Sequence, residues 1–182
     1  MSPGGQSSKT YLLTIVVKTI IFPSMTTRIA QELKQKAPFS SLEQEVFLGL
    51  RLATARVVDP WATFLKTAAE LSLIQYNVLR ILRGSHPDKL ACSAIADRLV
   101  SRDPDITRLV DRLSKRGLVK RSPGRKDRRV VEVSITKNGL EVLGELDAHA
   151  QRMPRAFLGQ LGTEKLRQLR SLLEAVDRKS VV

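Results

Sequence analysis

The chain has 182 residues, enough for one folded domain with extensions, and its 42% apolar and 27% charged content is that of an ordinary globular protein. A surplus of 31 Lys and Arg over 18 Asp and Glu, +13 in all, points to a polyanionic partner: DNA, RNA or an acidic membrane surface. Aromatic residues make up only 4%, which disfavours a single-strand binder built on base-stacking platforms, and the one cysteine excludes a disulfide framework and fits a reducing, cytoplasmic setting.

Residues 1–24 do not match the rest of the chain. Tyr11 to Phe22 is mostly apolar but is cut by Lys18, too short and interrupted for a transmembrane helix, and no small-residue cleavage site comes after it. From Met25 onward, MTTRIAQELKQK, the chain reads like the start of a normal helix, so residues 1–24 are expected to be a misassigned leader or a disordered tail. No membrane partner is expected.

The spacing predicts a long helix over Ser41 to Lys66, with Ser41 and Gln44 at capping-box separation and Val46, Leu50, Ala53, Val57, Trp61, Phe64 and Leu65 on steps of three and four. Leu48, Leu52 and Val58 widen that stripe, and Pro60 is expected to kink or break the helix. A second helix is predicted over Ser72 to Leu82, capped by Ser72 with Gln75, facing Tyr76, Leu79 and Leu82 inward. GSHPD, from Gly84 to Asp88, is a turn. A short helix is predicted over Ser93 to Leu99, with Ser93 as its cap and Ile95, Ala96 and Leu99 inside.

The stretch from Ser101 to Arg129 carries 11 Lys and Arg against 4 Asp, a surplus of 7 within the chain's +13. Asp103 is a good N-cap, Pro104 suits the first helical position, and Asp105 lies near the positive end of the helix dipole. Ile106, Leu109, Val110 and Leu113 form one buried stripe, Thr107, Arg108, Asp111, Arg112 and Lys115 lie on the other faces, and Gly117 stands where a helix-ending glycine belongs. Beyond it, Leu118 to Ser122, a Pro123–Gly124 turn and the alternation of Val131, Val133 and Ile135 spell a hairpin with a basic loop, PGRKDRR. Two short helices joined by a tight turn, then a projecting basic hairpin, have the layout of a winged helix-turn-helix, in which a helix enters the major groove and the hairpin reaches backbone or minor groove.

Leu140 to Leu158 is helical in pattern, with a bend expected at Pro154. Thr163 is expected to cap a last helix over Glu164 to Val176, striped by Leu166, Leu169, Leu172, Leu173 and Val176. The fold class expected is mainly α with a small β-hairpin wing (α+β).

The runs LSLIQYNVLRILRG, ACSAIADRL, ITRLVDRLSKRGLVKR and DRRVVEVSITKNG, in that order, resemble the MarR family of transcriptional regulators over roughly residues 43 to 178. The most specific part is Asp127-x-Arg129 followed by Val133-x-Ile135-Thr136 and Gly139. The resemblance implies a winged helix-turn-helix core at 70–138, an N-terminal dimerisation segment at 25–69 and C-terminal dimerisation helices at 139–182. It implies a homodimer on a palindromic double-stranded DNA site, usually as a repressor, with 103–116 in the major groove and the wing 123–129 on the minor groove. The residues expected at DNA are Ser93, Asp105, Thr107, Arg108, Arg112, Lys115, Arg125, Lys126, Arg128 and Arg129. Thr107 suits a phosphate or a thymine methyl, Arg108 suits guanine O6 and N7, and Ser93 suits a phosphate. Asp105 either accepts from cytosine N4 or supports the helix cap. In the family the positions of Asp127 and Arg129 often pair and stiffen the wing, which leaves Arg125 or Arg128 for the minor groove. The family also places a small aromatic or phenolic effector between the dimerisation helices and the DNA-binding unit. Trp61 and Phe64 either line that cleft or pack in the core.

No cofactor or metal is expected, because no Cys–His cluster and no GxSxG, Walker or GxGxxG motif occurs. An enzyme on a phosphorylated substrate would need a converging nucleophile or acid–base set, which the sequence does not show. A winged-helix interaction module that does not bind DNA is the other alternative. Cys92 is expected to be a small buried filler rather than a redox sensor.

Overall fold

A computed structural model describes residues 27–100, 105–124 and 127–177 of the chain. The leader expected at 1–24, and Asp103, Pro104, Arg125 and Lys126, lie outside them. The chain divides into two units, Met1–Ala55 and Arg56–Val182. In the first, α1 (Arg28–Glu32) is capped by the Thr27 hydroxyl, which accepts the Ala30 amide at 3.3 Å.

The long helix α2 is Leu42–Ala69. Its cap is half of the expected box: Ser41 Oγ accepts the Gln44 amide, but the Gln44 side chain turns to Ser40, accepting from its amide at 2.7 Å. The helix also runs on through Pro60, so of the kink or break expected there the break does not occur. Proline costs a helix interior about 3 kcal/mol. Directly after it, Trp61 and Leu65 are buried in the core, worth roughly 1.5–3 kcal/mol each, which is enough to hold the segment helical.

In the second unit, α3 (Leu73–Ser85) has the full capping box of Ser72 and Gln75 and buries Tyr76, Val78, Leu79 and Leu82. It runs past the predicted end at Leu82 and into the predicted turn as far as Ser85. Then β1 (Leu90–Ala91), a strand too short for any periodicity to show, pairs with β3 (Val131–Ile135). Because the chain leaves β1 straight into α4 (Cys92–Ala96), the N-cap is Ala91 with no side-chain bond, and Ser93 is not the cap. The helix α5 (Ile106–Lys115) packs on α4, and β2 (Val119–Pro123) comes next. The expected hairpin is therefore part of a three-stranded antiparallel sheet in the order β1-β3-β2, with Val119 opposite Ile135, Arg121 opposite Val133 and Pro123 opposite Val131.

Thr136 caps α6 (Lys137–Leu158), which continues through Pro154 and packs against α3. A bidentate Arg83–Asp147 pair, 2.8 and 2.9 Å, crosses between them. A 3-10 turn, Gly159–Leu161, leads to α7 (Gly162–Asp177), which begins one residue before Thr163, so that threonine is not the cap. The core joins Leu65, Leu71, Tyr76, Leu79, Leu82, Ile95, Leu109, Val110, Leu113, Val133, Leu143 and Leu146. The fold is mainly α with a small antiparallel sheet, an α+β winged helix-turn-helix.

Candidate nucleic-acid interface

The residues that would meet DNA are arranged by the two ends of α5. Its N-cap is Asp105, not Asp103: Asp105 is non-helical at φ −119°, and its carboxylate accepts the Arg108 amide at 3.2 Å. The capping role open to Asp105 is therefore present in the structure. Its other oxygen lies 3.1 Å from Arg108 Nε. At the far end Arg116 is the C-cap and Gly117 adopts φ +68°, a conformation open to glycine at little cost. The Gly117 amide donates to Ser114 O at 2.9 Å and the Leu118 amide to Leu113 O at 3.0 Å, the paired bonds of a Schellman ending.

Between the ends, Leu109, Val110 and Leu113 are buried and Ile106 is half-buried, as the stripe predicts. Thr107, Arg108, Arg112 and Lys115 lie on the opposite face: Thr107, Arg108 and Arg112 are exposed. Asp111 differs from its neighbours. Its carboxylate is paired with Arg121 of β2, so it ties helix to wing. Neither residue stood out in the sequence, because the pair becomes visible only once β2 lies beside α5.

In the wing, the Asp127 carboxylate accepts the Arg129 backbone amide at 2.9 Å, and the loop is closed by Val130 N–H to Asp127 O and Gly124 N–H to Val130 O. The stiffening expected from Asp127 is present, but it grips the Arg129 backbone rather than its guanidinium. Arg128 and Arg129 are both exposed. Ser93 is exposed as the second residue of α4.

Trp61 and Phe64 belong to α2. Trp61 is in the core, with Tyr76 edge-on to it at 5.2 Å, and Phe64 is half-buried. His149 of α6, an isolated histidine in the sequence, stacks on Phe64 at 3.7 Å and on Trp61 at 5.7 Å. Among the described residues no group of His, Cys, Asp and Glu is placed to hold a metal ion, and no helix is long and apolar enough to cross a membrane.

The Cys92 thiol is free and half-buried at the start of α4. Burial pushes it up, Arg121 opposes that, and Asp111 adds to it. A raised pKa leaves less thiolate, the nucleophilic form. Alkylation by iodoacetamide at about pH 8 should therefore be slower than for free cysteine, with its pH profile displaced upward. A rate equal to that of the free thiol would contradict this reading of Cys92.

The sequence profile of the MarR family matches residues 71–131, from the residue before the α3 cap to the first residue of β3. The MarR transcription factor of Planctomyces limnophilus, seen in a crystal structure, is 41% identical. The match covers 76% of this chain and 99% of that one, with a TM-score of 0.58. The chain belongs to the MarR family. The HTH-type transcriptional regulator PecS of Dickeya dadantii is a more distant relative of this MarR-family regulator, 24% identical over 84% of this chain and 93% of its own. Sco3205 of Streptomyces coelicolor, a MarR-family regulator solved in complex with DNA, shares the fold at a TM-score of 0.70 and 21% identity, covering 81% of this chain and 94% of that one.

Proposed function

We propose that this MarR-family chain acts as a homodimer on a palindromic double-stranded DNA operator, as a repressor whose hold is tuned by a small aromatic effector. In this reading, 70–138 is the DNA-binding unit, flanked by dimerisation segments at 25–69 and 139–182. The segment 103–116 enters the major groove and the wing at 123–129 reaches the minor groove, where guanidinium groups suit a narrow, electronegative channel. The observation that carries the reading is the division of α5. One side is sealed by Leu109, Val110 and Leu113, and the other holds Thr107, Arg108 and Arg112 in the open beside the wing. Sco3205, with this fold, was crystallised with DNA.

Support for a dimer comes from apolar side chains that one chain leaves uncovered. On α2, Leu42, Val46 and Phe47 are exposed, and on α7, Leu172, Leu173 and Val176 are exposed. Leu172 is 66% exposed, and a charge there costs a single chain little. Leu172→Glu should shift sedimentation from dimer toward monomer with an unchanged helical spectrum. A variant that sediments as wild type would remove α7 from the interface. For the effector, the half-buried Phe64 face with His149 stacked on it is a flat aromatic surface. Trp61, the only tryptophan, adjoins it, so intrinsic fluorescence should change when a phenolic acid binds.

The deciding experiment is a mobility-shift titration with the chain's own promoter region and a scrambled duplex. The promoter should bind more tightly, and log K should fall with log salt by about 0.9 per phosphate contacted. Equal binding to both duplexes, or an affinity indifferent to salt, would sink the proposal.

A further inference from the structure

Beside the end of α5 lies the end of a second helix, and one side chain spans the two. The α2 helix stops at Ala69, with Glu70 turned to φ +53° and its amide returned to Lys66 O at 3.1 Å. The α5 helix stops at Lys115 with Arg116 as its cap, whose amide donates to Arg112 O at 3.3 Å. Each helix C-terminus leaves carbonyls without partners and carries the negative end of a dipole, so two such ends held together repel unless a cation lies between them. Arg116 supplies it. Its Nη1 donates to Glu70 O and its Nη2 to Ala69 O, both at 2.8 Å. Two adjacent carbonyls suit the planar fork of a guanidinium, whereas the ammonium of lysine is a point donor.

The junction extends one residue further. Gly117 O accepts the Thr136 hydroxyl at 2.7 Å, and the same hydroxyl oxygen accepts the Gly139 amide at 3.1 Å in the first turn of α6. The C-terminal end of α5 is thus fastened to the end of α2 by Arg116 and to the start of α6 by Thr136.

We propose that Arg116 is a positioning residue: it sets the angle at which α5 is offered to DNA by locking the helix to the end of α2, and it does not bind phosphate. The inference rests on the DNA-binding reading above. By sequence, Arg116 is one of the 11 basic residues between 101 and 129, and charge alone would assign it to the backbone of DNA. In the fold it is exposed, yet two of its donors are engaged by carbonyls of its own chain. Without the lock, α5 keeps its apolar seat but loses its fixed tilt. That harms contacts to base edges, which require register, and spares the general attraction of the basic surface, which does not.

The test uses the full chain, a duplex enriched by the wild type from a randomised pool, and a scrambled duplex. Arg116→Gln should bind the enriched duplex about tenfold more weakly, comparable to one badly read base pair. Its affinity for the scrambled duplex, and its salt slope on the enriched one, should match wild type. Arg116→Lys keeps the charge but not the fork, and should also lose specific affinity at the wild-type slope. If Arg116 instead held a phosphate, Arg116→Gln would weaken both duplexes alike and flatten the slope by about 1.8, about 0.9 for each protomer, and Arg116→Lys would bind as wild type. Either of those results overturns the inference, as does a glutamine variant indistinguishable from wild type. Should the glutamine variant lose its fold by circular dichroism, the lysine variant decides the matter alone. A wild type that enriches no duplex overturns the DNA-binding reading and this inference with it, whereas enrichment with unaffected variants overturns the inference only.

Discussion

Replacing Arg108 by alanine should weaken binding to a palindromic site by about 2–6 kcal/mol, because a lost bidentate contact to guanine costs about 1–3 kcal/mol and a dimer loses it twice. The side chain is 79% exposed, and its Nε is held 3.1 Å from Asp105 Oδ2. A guanidinium gripped at Nε still presents both terminal nitrogens, the pair that matches guanine O6 and N7. Asp105, whose other oxygen caps the helix, therefore aims Arg108 outward. The expected signature is positional: selection on Arg108→Ala should return sites relaxed at one base pair per half-site and unchanged elsewhere. Lys115→Ala, by contrast, should weaken all sequences alike and flatten the salt slope by about 1.8, about 0.9 for each protomer. Uniform losses from both substitutions would show that Arg108 reads no base.

Gly139→Ala should lower stability by about 2–2.5 kcal/mol, although alanine is the better helix former. Two effects compete in the first turn of α6. Helix propensity favours alanine by about 0.5–1 kcal/mol. Against it, a Cβ at this position would collide with the Leu118 backbone carbonyl and stand 2.8 Å from Ile135 Cγ1. Overpacking a core costs about 1–3 kcal/mol, and the upper end applies here because the obstacle is main chain, which no rotamer change relieves. For a chain of this size, about 2–2.5 kcal/mol lowers the melting temperature by about 4–10 °C. Gly144, further along α6, is the internal control. Nothing lies within 4 Å of its added Cβ, so Gly144→Ala should stabilise by about 0.5–1 kcal/mol. Thermal melts of the two variants moving in the same direction would refute the close approach of Leu118 to α6.

Much of this molecule was legible in local pattern. The buried row of Leu109, Val110 and Leu113, the Ser72–Gln75 cap and the Gly117 ending depend on residues within one or two helical turns of each other, and spacing reveals them. What escaped depends on partners far apart in the chain. Arg116 meets carbonyls 46 and 47 residues away, and Arg83 meets Asp147 at a separation of 64. Asp111 looked like one more solvated charge until β2 brought Arg121 to it. His149 looked isolated until α6 laid it on Phe64. The prolines misled in the other direction. Pro60 marks a helix end by local rules, but the burial of Trp61 and Leu65 outweighs the lost hydrogen bond. At Asp105 the error was of two residues only, since Asp103 and Asp105 are both competent caps.

The two-residue strand β1 has an effect out of proportion to its size. Leu90 and Ala91 pair with Val133 and Glu132 immediately before α4 begins, so the wing and the helix-turn-helix share one hydrogen-bonded seam. For a protein that reads DNA as proposed, this makes the pair of contact zones a ruler of fixed length. A duplex with one base pair inserted between those zones rotates them out of phase by about 34°, and the seam allows the protein no hinge with which to compensate.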